Sequence, residues 1–246
     1  MVLRLTPVRR IKVTPLRIVP LLAGTLCLCG CVVEATGPTQ HDSRTIEMDA
    51  SERVTVDLNM GAGNLRVDGG TQKLARADFT YNVASWKPYV HYRSAAGHGT
   101  LSIEQPSGPH AHMGANKYEW DVLLNREVPM DMRVHFGAGD ANLNLGSLSL
   151  RSVEVGMGVG KLNLDLRGKP KRNYDVTIRG GVGECTVRVP SDVGVYGEAE
   201  GGIGEIRTTG LHQEGRRYYN NAYEHSKVTI HLDIRGAIGS IRVISD

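Results

Sequence analysis

The sequence predicts an all-β chain: a β-solenoid-like stack of short strands, with an aromatic-rich β-meander as a cap near the N-terminus. Three observations predict it. Six stretches repeat the form Gly, apolar, Gly, polar, apolar, polar, apolar; the apolar residues around them alternate with period two; and 30 of 246 residues are glycine against 2 phenylalanines. Glycine at that level without a collagen period belongs to chains that turn often or lack room for Cβ.

Residues 1–30 read as a lipoprotein signal peptide rather than as part of the fold. Arg4, Arg9, Arg10, Lys12 and Arg17 precede an apolar run from Ile18 to Cys29, too short to span a bilayer stably. The run ends in Leu28-Cys29-Gly30-Cys31, which resembles a bacterial lipobox. That resemblance implies cleavage before Cys31, diacylglycerol on its sulfur and an amino-terminal acyl chain such as palmitate; an ordinary secretory signal is the alternative. Val32 in place of Asp after the cysteine implies, by analogy, an outer-membrane destination if the cell has one. The expected location is therefore the cell envelope, with the membrane a partner through the lipid anchor.

Removing residues 1–30 takes five of the 29 Lys+Arg and none of the 26 Asp+Glu, which leaves a net charge of −2. The basic pI near 8.7 thus belongs largely to the signal, and nucleic acid drops out as a partner. Cys27 and Cys29 leave with the signal and Cys31 is blocked, so Cys185 is the lone thiol and no disulfide framework is available. Residues 31–43, with Thr36, Gly37, Pro38, Thr39 and Gln40, form a polar tether. Residues 44–130 are expected to hold the β cap with the first repeat, and residues 131–246 the remaining repeats.

The corners are Gly61-Ala62-Gly63, Gly137-Ala138-Gly139, Gly158-Val159-Gly160, Gly181-Val182-Gly183, Gly202-Ile203-Gly204 and Ala237-Ile238-Gly239. From 139 to 204 the second glycines lie 21, 23 and 21 residues apart, a period that marks a stacked array. Around the third corner Val153, Val155, Met157 and Val159 form an odd-numbered apolar set, and Leu162, Leu164 and Leu166 an even-numbered one. Strand side chains alternate faces, so both sets point inward only if the second glycine absorbs a one-residue phase change through a bend or bulge. Each repeat is then two short strands of about five to seven residues meeting at the corner. A phosphate-binding loop would lead from its glycines into a helix; alternating strand follows all six corners here, which argues against nucleotide binding.

Between the first and second corners lie 76 residues with both tryptophans. Strand-like runs at Ala77–Val83, Tyr89–Arg93, Thr100–Gln105 and Tyr118–Leu124 are separated by turn signals, and a meander of this kind suits the open end of a stack. Trp86 and Trp120 are read as cap residues rather than as ligand-stacking platforms.

Trp120-Asp121-Val122-Leu123-Leu124-Asn125, Val128-Pro129-Met130, Gly137-Ala138-Gly139-Asp140-Ala141-Asn142-Leu143-Asn144-Leu145 and Leu148-Ser149-Leu150 resemble the amino-terminal toast-rack domain. The later repeats resemble the related adhesin-like, LiaF-like region of bacterial cell-surface proteins. The resemblance covers roughly residues 44–246. It implies strands arranged like slices in a rack and a role at the cell envelope, with no enzymatic residue set to carry over; many relatives span the membrane, whereas this chain is expected to be tethered by lipid.

Chemistry is sought on the outward positions, because packing occupies the inward ones. After the corners these read Asn64 and Arg66, Lys161 and Asn163, Glu184 and Thr186, Glu205 and Arg207, Ser240 and Arg242. No residue type repeats in every copy, so no calcium-binding or ice-binding ladder is present. Asp165, Glu184 and Glu205, with Arg188 and Arg207, are the nearest approach to a catalytic carboxylate cluster, and cross-repeat salt pairs explain their spacing equally well. His110-Ala111-His112, in a Pro/Gly-flanked loop, is a weak metal candidate, with His98 or His91 as a possible third ligand. No cofactor is implied. Cys185, inward after a corner, is read as a small buried hydrophobe.

The interval before the last repeat is 35 residues and holds Arg216-Arg217-Tyr218-Tyr219-Asn220-Asn221-Ala222-Tyr223. Arg216, Arg217, Tyr218, Tyr219 and Tyr223 suit contact with an envelope protein or glycan, and packing of the tyrosines onto the final repeats is the alternative. The function expected is a non-catalytic envelope lipoprotein that binds or scaffolds, in adhesion or envelope stress. A polysaccharide-active enzyme on a β-solenoid, with a cleft over Asp165, Glu184 and Glu205, is the alternative.

Overall fold

Each glycine corner is the midpoint of one long strand. The computed structural model describes residues 34–107, 112–113 and 116–246; the signal peptide, Cys31 and His110 lie outside the described residues, as does the side chain of His112. The strands are β1 (Glu34–Ala35), β2 (Gln40–Ile46), β3 (Arg53–Thr71), β4 (Ala75–Tyr81), β5 (Tyr89–Ala95), β6 (His98–Glu104), β7 (His112–Met113), β8 (Tyr118–Asn125), β9 (Met130–Asn144), β10 (Leu150–Asp165), β11 (Tyr174–Val189), β12 (Gly194–Thr209), β13 (His212–Glu214), β14 (Arg217–Tyr219) and β15 (Thr229–Ser245). The one helical element among them is a 3-10 turn at Ala84–Trp86.

The six repeats are β3, β9, β10, β11, β12 and β15, paired in parallel and in register, so that Gly63, Gly139, Gly160, Gly183, Gly239 and Gly204 form a single column. The two short strands expected per repeat are therefore continuous through the corner. A straight strand of 16 residues would be about 50 Å long, whereas five residues reach at most about 18 Å. Leu145–Ser149 nevertheless carries the end of β9 to the start of the parallel β10. Each strand must fold back at its corner, and its two limbs face each other.

That fold is what the phase change serves. Val153, Val155 and Met157 before the corner and Leu162, Leu164 and Leu166 after it are all buried, in one apolar core with the equivalent residues of the other repeats. Val159, expected inward, is 55% exposed, and Val182, Ile203 and Ile238 point outward as well. The phase change thus falls at the first glycine, two residues earlier than expected. The cause is space: a Cβ on Gly158 would lie 2.3 Å from the Gly137 carbonyl oxygen, and one on Gly160, at φ +138°, 1.8 Å from that of Gly139. The inside of the bend admits no side chain, so the residue between the glycines faces out.

The meander covers the first repeat on both limbs. β6 pairs with Arg53–Asn59 before the corner, β8 pairs with the limb after it, and β4 and β2 extend the sheet from β8. Trp86 and Trp120 are buried there, with Tyr118 edge-on to both rings, as cap residues should be. At the bend itself neither strand reaches, and Gln105 Oε1 accepts the Gly61 and Ala62 N–H groups at 2.7 and 3.1 Å.

Strand order departs from chain order at the other end. β12 does not join β11; β15, last in the chain, inserts between them. The long interval before β15 is explained by this: the chain forms the β13–β14 hairpin, whose β14 pairs antiparallel with Tyr196–Glu198 of β12, and then returns to fill the open slot.

Candidate functional site

The residue with the greatest structural hold on the insertion is Asn220, buried at 2% exposure. Its Nδ2 donates to the Pro190 and Val193 carbonyls at 3.1 and 2.7 Å, and its Oδ1 accepts the Val195 N–H at 3.0 Å. A buried amide satisfied on both sides fixes the loop that follows β14 against the β11–β12 turn. The sequence shows Asn220 only as one polar residue of a Tyr/Asn-rich loop. Nothing in its neighbours signals burial, because its partners are backbone groups some 25 to 30 residues away.

Around this anchor the insertion assembles an aromatic face. Tyr223 stacks on Tyr196 at 5.2 Å between centroids, Tyr196 stacks on His231 at 5.3 Å, and Tyr219 lies 6.3 Å from Tyr223. The Arg217 guanidinium sits 5.9 Å over the Tyr196 ring, within cation–π range, and pairs with Glu198; Arg216 pairs with Glu200. Both arginines remain largely exposed. Of the five residues singled out from sequence, Arg216, Arg217, Tyr219 and Tyr223 meet at this face. Tyr218 turns the other way, half-buried against the core, and with Leu211 closes the end of the stack between the limbs. Tyr196 and His231 are members that sequence reasoning missed; both sit at outward positions of repeat strands, and strand pairing brings them side by side.

The carboxylates do not converge. Glu184 and Glu205 flank Ser240 on neighbouring strands, two strand spacings or about 9.5 Å apart on an open face. The cavity they border holds about 30 Å³, room for roughly one water and far below the several hundred Å³ of a ligand pocket. Asp165 lies at the far end of its limb, bonded to Arg167 at 2.6 Å. Burial would raise its pKa, but the Arg167 hydrogen bonds outweigh this and hold the carboxyl below the usual carboxylate range, ionised rather than poised to donate a proton.

Among the described residues no three His, Cys, Asp or Glu side chains are grouped to hold a metal. His98, offered as a third ligand, is engaged by Arg53 and Thr55 at 2.8 and 3.0 Å. Cys185 is buried, and desolvation pushes its thiol up to about 12. No described helix is long and apolar enough to cross a membrane.

Comparison with known proteins bears on the fold and the family. The family model described as the N-terminal domain of toast_rack matches residues 35–188, and the one described as "Cell wall-active antibiotics response LiaF, C-terminal" matches residues 137–243. A solved structure described as a "putative cell adhesion protein" from Clostridium sporogenes is 33% identical, over 85% of this chain and all of its own, with a TM-score of 0.81. A "putative adhesin" from Bacteroides fragilis is 11% identical over 85% of this chain and 99% of its own, with a TM-score of 0.34. No curated protein matches.

Proposed function

This chain belongs to the toast-rack family, and from that premise we propose that it is a non-catalytic cell-envelope lipoprotein, anchored through Cys31, which acts as a surface binding or scaffold module. The observation that carries the reading is the face of Tyr196, Tyr219, Tyr223 and His231 with Arg216 and Arg217, built by an insertion onto a scaffold whose carboxylates stay apart. Rigid aromatic rings beside exposed guanidinium groups supply contact area and directed hydrogen bonds at low entropic cost, the combination that protein and glycan contacts use. An envelope protein or glycan is the partner, in adhesion or envelope-stress signalling. The lipobox-like Leu28-Cys29-Gly30-Cys31 supports the anchor.

The test is crosslinking of the full-length protein in its own cells, compared with the triple variant Arg216→Ala, Arg217→Ala, Tyr223→Ala, which leaves Asn220 in place. Adducts that vanish in the variant support the reading; identical adducts refute it. Metabolic labelling with palmitate, lost in Cys31→Ser, checks the anchor separately.

A further inference from the structure

The two ends of the stack are finished differently. At the β3 end both limbs are paired, by β6 and β8, and Gln105 satisfies the bend between them. At the β12 end the β14 strand pairs only with Tyr196, Gly197 and Glu198 before the corner. Beyond the corner, Gly204-Glu205-Ile206-Arg207-Thr208-Thr209 pairs with β15 on one side, and among the described residues no strand pairs with its other side. An edge of this kind is a template for another strand; this one has no proline after the corner, and its two charges, Glu205 and Arg207, are of opposite sign, so they do not repel every partner.

The edge also adjoins a row of exposed apolar side chains. The outward residues of the corner column run Ala62, Ala138, Val159, Val182, Ile238, Ile203 from the capped end to the open one. Among the four large residues of this row, Ile203 is the most exposed, at 72%.

We propose that the post-corner limb of β12 pairs antiparallel with the same limb of a second copy across a two-fold axis at Ile206, making a homodimer with a continuous sheet. Repeat-on-repeat head-to-tail stacking is closed to this chain, because β6 and β8 cover both limbs of β3. A two-fold contact requires self-complementarity, and the register centred on Ile206 has it. Glu205 then faces Arg207 of the second copy, twice, on the outward side; Ile206 meets Ile206 on the core side; and Ile203 falls opposite Thr209. In the single chain Glu205 and Arg207 already pair at 2.5 Å, both more than half exposed, so their charges are placed along the edge at the spacing this register needs. The register centred one residue later would set Arg207 against Arg207 and is disfavoured.

The test uses the full-length protein. Directly opposed antiparallel residues have Cα atoms about 4.5–5.5 Å apart, within disulfide reach, so Ile206→Cys is expected to give a disulfide-linked homodimer under mild oxidation, while Asn163→Cys, on β10 in mid-stack, is not. Glu205→Arg and Arg207→Glu, each alone in the Ile206→Cys background, are expected to lower the dimer yield about tenfold. Co-expression of the two is expected to restore it as a mixed dimer, which repair of the pair within one chain cannot explain. Equal crosslinking at positions 163 and 206, a monomeric or solely heterologous product at 206, or no response to the charge variants overturns the proposal. Because these positions lie outside the aromatic face, the outcome is independent of the partner-contact experiment above.

Discussion

Asn220 and Val195 bind each other twice: the Asn220 N–H donates to the Val195 carbonyl at 3.1 Å, and the Val195 N–H donates to Asn220 Oδ1 at 3.0 Å. The exchange joins the loop after β14 to the start of β12, and with it the aromatic face to the repeat scaffold.

Asn220→Ala is accordingly expected to destabilise the protein by about 2–4 kcal/mol, because it strands the buried Val195 N–H along with two carbonyls. Glu224→Ala, in the same loop and exposed, should fall within about 0.5 kcal/mol of the parent. Urea unfolding monitored by tyrosine and tryptophan fluorescence measures both; equal effects would show that the anchor is not Asn220.

The glycine column predicts a steep contrast at one corner. Gly160→Ala combines a positive φ with a Cβ driven into the Gly139 carbonyl, and a cost of about 3 kcal/mol or more is expected. Val159→Ser, on the exposed side of the same bend, should change stability by less than about 1 kcal/mol. Thermal unfolding of the pair decides it, and comparable losses would contradict the outward placement of Val159.

Cys185 should be silent in the native state. Burial and a thiol pushed up to about 12 leave almost no thiolate at pH 8, so an alkylating reagent should modify Cys185 only once denaturant is added. Mass mapping of the peptide that contains Cys185 reads this directly; stoichiometric labelling of the folded protein would place the thiol at the surface instead.

Asp49 gives a pH signature. Hydrogen bonds from the Ser51 hydroxyl and the Ser51 N–H, joined by that of Tyr92, lower its pKa from 3.8 to about 2. The folded value lies below the unfolded one, so the contribution to stability is present in full above about pH 4 and is lost as pH falls towards 2. The stability difference between the parent and Asp49→Asn should be flat from pH 7 to 5 and shrink below 4. A difference that grows on acidification would reverse the sign and refute the assignment.

The inside of the protein was legible in the alternation of residues such as Val153, Val155, Leu162 and Leu164, because which face a strand side chain takes is a local, period-two property. The same locality exposed the six corners and, through the change of parity, the need for a bend at each. The meander showed itself through its turn residues and aromatics.

What only the tertiary structure decided depends on choices between equivalent partners. Every repeat presents nearly the same parallel edge, so nothing local tells β15 to enter between β11 and β12 rather than follow β12; the β13–β14 hairpin and the Asn220 clamp settle it. The outward turn of Val159 and Ile203 likewise follows from the neighbouring strands' carbonyl oxygens, which fill the inside of the bend and are distant in the chain. The pairing of Tyr196 with His231, and hence the aromatic face, comes from that same insertion, since residues 35 apart meet only when their two strands become neighbours.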